Sequence, residues 1–249
     1  SQAELHAVYG GVVPELAARE HLNNLPLLLE DALATSEISR QDISAIAVTQ
    51  GPGLKGCLLV GISFAKAFAF AKNIPLIPVH HIEAHLMSAL LARADFLDNQ
   101  SGNGITIALI VSGGHTELYA IRGFRNYQRL AKTRDDAAGE AFDKSATLLE
   151  LPYPGGPRLA ELATLGDPTR YPVSEGVPHE LDAFSFSGLK TDVSRLVAQL
   201  KIQSTAPDWR ADIAASCQAA IVNSLVRKSL AAVKAHSAWR FLICGGVAA

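Results

Sequence analysis

The stretch that decides the fold runs from Ile43 to Ala92. It opens with ISAIAVT (Ile43 to Thr49), an apolar run rich in β-branched residues that reads as a buried strand. A helix apolar nearly all round follows from Val60 to Lys72, then a second strand from Ile74 to Val79 and a helix from His80 to Ala92. Strand and helix alternating in this way predict the α/β class, with a mostly parallel sheet covered on both faces. Upstream, Pro14 stands where the first turn of a helix tolerates proline, after the turn signal Gly10-Gly11, and the helix is predicted to continue to Ala34.

Downstream, the polar segment from Ala94 to Gly104 breaks the pattern and marks a lobe boundary, giving an N-terminal lobe over 1–104 and a C-terminal lobe over 105–249. Two strand-like runs, Ile105 to Ser112 and Thr116 to Ile121, flank Gly113-Gly114-His115 and predict a hairpin. Helices are predicted at Ala138 to Glu150, Pro157 to Leu165, Leu189 to Leu200 and Trp209 to His236, with a last strand from Phe241 to Cys244. Both ends read as cut. Ser1 to Tyr9 supplies no strand ahead of the glycine turn, and the final FLICGGVAA stops within the first turn of a helix, too short to sustain itself.

Composition bounds the function. The chain has 249 residues, 49% apolar and 18% charged, with 24 acids against 22 bases and a formal net charge of −2. These values exclude a disordered, fibrous or transmembrane protein and point to no membrane association. The three cysteines, Cys57, Cys217 and Cys244, are odd in number and far apart, so they read as reduced thiols, and the start of the chain carries no signal-peptide pattern; the cytoplasm is the expected location. Near-neutral charge excludes a protein that coats nucleic acid nonspecifically, yet Arg122, Arg125, Arg129, Lys132 and Arg134 form a local basic run interleaved with Phe124 and Tyr127. That run fits either a solvated strand edge or a contact for RNA phosphates.

Several motifs carry chemistry. In His80-His81-Ile82-Glu83-Ala84-His85, residues four apart share one helical face, so His81 and His85 can bind one metal ion while Ile82 and Leu86 face the core. The same spacing occurs in zinc peptidases, but there the glutamate directly follows the first histidine; Glu83 lies two positions on and points elsewhere, so the general base is missing. Gly51-Pro52-Gly53-Leu54-Lys55-Gly56 matches GxGxxG, yet the next strand ends in Pro78-Val79-His80 without the acid of a dinucleotide site, and NAD binding is rejected. Ser112-Gly113-Gly114-His115-Thr116 predicts either a plain turn or a nest of backbone N–H groups gripping a phosphate. Asp136, Glu140 and Asp143 recur on one predicted helical face, with Lys144 beside them and the glycine-rich YPGGP (Tyr153 to Pro157) beyond.

Taken together, GGVVPELAAREH (Gly10 to His21), QGPGLKG (Gln50 to Gly56), VHHIEAH (Val79 to His85), VSGGHT (Val111 to Thr116), DDAAGEAFDK (Asp135 to Lys144), YPGGP, FSFSGLKT (Phe184 to Thr191) and GGVAA (Gly245 to Ala249) resemble, in order, the bacterial branch of the TsaD/YgjD (Kae-type) family of tRNA threonylcarbamoyl transferases, formerly called O-sialoglycoprotein endopeptidases. The resemblance implies a two-lobed actin-like ATPase (ASKHA, ribonuclease H-like) fold. It implies transfer of a threonylcarbamoyl group from threonylcarbamoyl-AMP to N6 of the adenosine 3′ of the anticodon, in tRNAs reading codons that start with A. His81 and His85 would be metal ligands for iron or zinc. Ile110, Val111, Ser112, Gly113, Gly114, Asp143 and Gly156 would contact the substrate, an ATP-like nucleotide or the activated donor, and Gly245 and Gly246 would lie on the adenosine side. Partners implied are tRNA, a TsaB-like paralogue and a TsaE-like ATPase. The family's amino-terminal strand with its ETSCDET-type loop, the asparagine after GGVAA and the last metal-binding aspartate have no counterpart in the sequence, and position 84 is alanine where many members have glycine. A form cut at both ends would bind metal weakly and need not turn over. A glycoprotein-cleaving metallopeptidase and a noncatalytic scaffold of the modification complex are the competing readings.

Overall fold

A computed structural model describes residues 2–88, 104–123, 125–203 and 209–248. The chain divides into two compact units, Ser1–His85 and Leu86–Ala249. The segment expected to mark the lobe boundary lies, apart from Gly104, outside the described residues, as does Phe124.

The first unit contains α1 (Ala3–Ala7), α2 (Pro14–Thr35), β1 (Ile46–Gly51), α3 (Lys55–Lys72) and β2 (Leu76–His80), and α4 (His81–Met87) begins where β2 ends. β1 and β2 pair in parallel, from Ile46 opposite Leu76 to Gly51 opposite His80, with α3 as the crossover. Pro14 opens α2 as expected, and Asn73, in the left-handed conformation at φ 53°, closes α3 and turns the chain into β2. A Cβ on Gly56 would stand 3.2 Å from that of Ala18, so α2 and α3 pack at close range. β1 starts three residues later than the apolar run predicts, because Ser39 donates through its N–H and hydroxyl to the Asp42 carboxylate (3.0 and 2.6 Å) and holds a capped turn ahead of the strand. α3 in turn starts five residues early, directly after the Gly53-Leu54 turn. β1 and β2 are only half-buried where β-branched runs predict burial on both faces: α3 packs on them, and Ile77 stays exposed.

The second unit is built on five strands in the order β6-β5-β4-β3-β7. β3 (Thr106–Val111), β4 (Thr116–Gly123) and β5 (Asn126–Thr133) form an antiparallel meander. β7 (Arg240–Cys244) runs parallel to β3, and β6 (Ala183–Phe184) parallel to β5. A three-stranded meander with a parallel strand beside its first member is the ribonuclease H-like arrangement expected of an actin-like lobe. Four helices accompany it: α5 (Ala138–Leu148), α6 (Gly155–Ala163), α7 (Ser187–Gln203) and α8 (Trp209–Ala235). Alternate residues Ile107, Leu109 and Val111 of β3, with Leu118 and Ala120 of β4, join Ala141, Leu159, Leu189 and Ile213 of the helices in one core. Every residue of β3 is buried, as its uninterrupted apolar run predicts for a central strand.

Two polar devices fasten the connections. Lys228 of α8, 1% exposed, donates from Nζ to the carbonyl oxygens of Val177, Glu180 and Ala183, and so ties down the chain entering β6. The Asp135 carboxylate accepts from Ser185 Oγ, Phe186 N–H, Ser187 N–H and Ser187 Oγ, capping α7 from a point about 50 residues away in sequence. Burial pushes the Asp135 pKa up, and these four donors more than reverse it, holding the carboxyl below the ordinary carboxylate value.

Candidate functional site

The glycine loop leaves β3 at its carboxyl end. Ser112 N–H donates to the His115 carbonyl (2.8 Å) and His115 N–H to Ser112 Oγ (3.1 Å), which closes a tight turn with Gly113 and Gly114 exposed at its tip. Thr116, fully buried, then accepts from the Ala138 N–H at 2.8 Å, serving as cap for α5, whose own N-cap residue Ala137 has no side-chain acceptor. The helix start is thereby fixed beside the loop. A Cβ on Gly139 would stand 2.8 Å from Gly113 Cα and from the Ser112 carbonyl oxygen, so that glycine permits the approach.

A second helix start is brought to the same place by Asp143. Its Oδ1 accepts from both the Gly155 and the Gly156 N–H groups (2.9 and 3.0 Å), capping α6, which follows Pro154 and has no side-chain cap of its own. From the far end of the chain, Gly245 turns with φ +105°, and Val247 N–H donates to the Val111 carbonyl at 3.2 Å, which seats the Gly245-Gly246-Val247 turn on the end of β3.

These elements enclose a cavity of about 870 Å³ lined by Val111, Gly113, Gly139, Asp143, Gly156 and Gly246, with an apolar wall that includes Val226 and Leu230 of α8 and Ile243 of β7. Of the residues that the sequence marks for substrate, Val111, Gly113, Asp143 and Gly156 therefore share one cavity. Ser112 shapes the loop behind it, Gly114 sits at the exposed tip, and Ile110 is fully buried with its side chain on the opposite sheet face from Val111. Gly246 lines the cavity while Gly245 makes the turn. Thr116, Gly139 and the wall from α8 belong to the site by through-space packing; DDAAGEAFDK held the signal for Gly139 without saying what it approaches.

The acidic face resolves into separate roles. Asp136 precedes α5, which starts at Ala138 as predicted, and so does not share a helical face with the other two acids, a correction to the single acidic face expected. Asp136 and Glu140 both accept from Lys144 Nζ (2.6 and 2.7 Å), and these bonds raise the lysine pKa above its ordinary value. Asp143 alone of the three faces the cavity. Burial pushes the Cys217 thiol up to about 12 and that of Cys244 up to about 11, so neither is a thiolate near neutral pH.

In the first unit, His81 and His85 fall one turn apart at the start of α4, their ring centroids 4.6 Å from each other, both half-buried beside the buried Ile82. Burial, then the charges of His85 and His80, hold the His81 pKa below its ordinary value, which favours the neutral imidazole that ligates metals. His80 has a different part: its Nδ1 accepts from the Glu83 N–H (3.4 Å) at the strand-to-helix turn. Among the described residues no group of three or more His, Cys, Asp or Glu converges on one point. No described helix is long and apolar enough to cross a membrane.

Comparison with known proteins places the chain. The profile of the family described as TsaD, tRNA N6-adenosine threonylcarbamoyltransferase, matches residues 1–249. Curated relatives bearing the name tRNA N6-adenosine threonylcarbamoyltransferase include those of Bordetella petrii, 48% identical over all of this chain and 70% of the relative, Synechococcus sp., 50% identical over all of this chain and 66% of the relative, and Chromobacterium violaceum, 50% identical over all of this chain and 72% of the relative. This chain thus spans about two thirds of their length. Distant likenesses among solved structures are YeaZ from Pseudomonas aeruginosa (17% identity, TM-score 0.33, covering 44% of this chain and 49% of that one) and the activator of 2-hydroxyisocaproyl-CoA dehydratase from Clostridium difficile with bound ADPNP (16% identity, TM-score 0.42, covering 88% and 65%). Neither the peptidase nor the scaffold reading finds support in these names. With a whole-length profile match and relatives at about 50% identity, the chain belongs to the tRNA N6-adenosine threonylcarbamoyltransferase family of tRNA-modifying transferases.

Proposed function

We propose that the cavity of the second unit holds threonylcarbamoyl-AMP and that the chain supports transfer of its threonylcarbamoyl group to N6 of the adenosine 3′ of the tRNA anticodon. The observation that carries this reading is the convergence of Val111, Gly113, Asp143, Gly156 and Gly246, drawn from four separate motifs, on one cavity. In the transfer, the exocyclic amine forms a bond to the carbamoyl carbon, the bond from that carbon to the phosphate oxygen breaks, AMP leaves and the amine loses one proton. Such a step needs alignment and charge stabilisation more than a nucleophile. The Gly113-Gly114 tip, with no side chain near the positions a Cβ would take, lets backbone N–H groups meet the phosphate. Asp143, one oxygen already engaged by α6, presents its other oxygen to ribose hydroxyls.

His81 and His85 would hold a divalent ion, iron or zinc. When bound, that ion would supply Lewis-acid chemistry. A TsaB-like paralogue and a TsaE-like ATPase are the proposed protein partners, and the cytoplasm the proposed compartment. The test is to supply threonylcarbamoyl-AMP, unmodified tRNA and those partners and to read nucleosides by mass spectrometry. Threonylcarbamoyladenosine is expected, and His81→Ala is expected to lose most of the iron or zinc by elemental analysis; donor consumed without modified nucleoside would overturn the reading.

A further inference from the structure

The β4–β5 hairpin carries charge that the cavity does not use. From Arg122 to Arg134 the sequence RGFRNYQRLAKTR has five cations and no acid, in a chain whose acids outnumber its bases 24 to 22. All five cations are exposed. Arg125 stands in the turn itself with φ +59°, and Arg122 sits at the end of β4 beside it. Along β5 the register sets Tyr127, Arg129 and Lys132 opposite Ile121, Tyr119 and Glu117, so that Tyr127 and both cations stand on the same face of the sheet. The Tyr127 ring is held edge-on by Tyr119, centroids 6.1 Å apart. Arg134 is engaged elsewhere, in an ion pair with Glu180, Arg122 lies on the other face and donates to Gln128 Oε1 at 3.4 Å, and exposed Arg129 stands by the Tyr119 hydroxyl and 3.9 Å from Glu117.

A solvated edge strand needs a cation or two to discourage pairing. It does not need three, two of them arginines, spread over about 20 Å with an aromatic ring among them. Guanidinium groups match phosphate oxygens in a bidentate manner, a nucleic-acid strand presents several phosphates over that length, and the half-buried Tyr127 leaves part of its ring to meet an unpaired base. We propose that this hairpin is a docking surface for the phosphodiester backbone of the RNA substrate, with Arg125, Arg129 and Lys132 as phosphate contacts and Tyr127 as a stacking platform. The inference rests on the transferase reading for the identity of the RNA.

The test uses the whole chain with its partners and unmodified tRNA. Arg125→Glu combined with Lys132→Glu is expected to weaken tRNA binding at least about tenfold at low salt and to lower the slope of log K against log salt by about two, one for each lost phosphate contact. KM for tRNA rises while kcat and KM for threonylcarbamoyl-AMP stay as they were. Arg125→Lys with Lys132→Arg, which keeps the charges, is expected to retain the salt slope and so controls for folding. A reversal variant with unchanged affinity and unchanged slope would overturn the docking surface. If the unaltered protein modifies no tRNA yet its tRNA binding still depends on these cations, the transferase reading falls and the RNA surface stands.

Discussion

The two units make opposite use of similar apolar sequence. In the second, β3 is buried from end to end and four helices contribute to one core around the meander. In the first, a two-stranded pair and its helices leave Phe70 90% exposed and Leu59 67% exposed, although α3 reads as apolar nearly all round. Hydropathy states which side chains gain by leaving water, but the gain is realised only where a neighbour covers them. The consequence for the site is direct. The glycine loop, both capped helix starts and the Gly245 turn are anchored in the well-packed unit, the setting in which backbone N–H groups can be held ready for a ligand.

The sharpest way to break this contrast is to remove a large side chain from the second core. Phe184 is fully buried, stacks on Phe186 with centroids 6.4 Å apart and lies 5.5 Å from Lys228 Nζ. Phe184→Ala is expected to cost about 3–5 kcal/mol, through lost transfer energy and the cavity left behind, read as a lower denaturant midpoint for the second unit. A loss under about 1 kcal/mol would show that this core is far less tightly packed than its burial states.

A smaller effect is expected at Asp135, whose four accepted hydrogen bonds join the end of β5 to α7. Asp135→Asn removes the charge from those bonds, and because the carboxylate is exposed and screened the loss is about 1 kcal/mol. Its pH dependence has a definite sign. The folded pKa lies below the ordinary value, so the unfolded chain takes up the proton first as pH falls. The stabilisation is complete above the unfolded carboxylate pKa of about 3.9 and is lost as pH drops through the folded value. Acid titration of unfolding should therefore show a shallower acid limb in the variant; identical limbs would remove Asp135 from the account.

The same contrast explains what the sequence revealed. Strand and helix alternation was legible because it is local, and so were Gly113, Asp143, Gly156 and the one-turn spacing of His81 and His85. Contacts between distant segments were not. Nothing local to Thr116 says that it caps α5 at Ala138, nor to Asp135 that its donors are Ser185 to Ser187, since both pairings are made by the sheet that brings the segments together. β6, two residues long, carries no periodicity at all, and β5 holds Arg129, Lys132 and a bulge opposite Leu118 and Tyr119 that puts Tyr127 and Ala131 on opposite faces, so no simple alternation shows. Burial of β1 and β2 was overestimated for the converse reason: the pattern was right and the cover was thinner than it assumes.

That last point yields the smallest expected effect and the cleanest check on the contrast. Phe70 is as large and apolar as Phe184, sits in a regular helix and is solvent-exposed, so Phe70→Ser exchanges one exposed side chain for another. The helix propensities of the two residues are close, and no buried area is surrendered. The unfolding midpoint is expected to stay within about 0.5 kcal/mol of the unaltered protein, against several kcal/mol for Phe184→Ala. A drop comparable to that of Phe184→Ala would mean that this face of α3 is covered in solution, and burial in the first unit would then match that of the second.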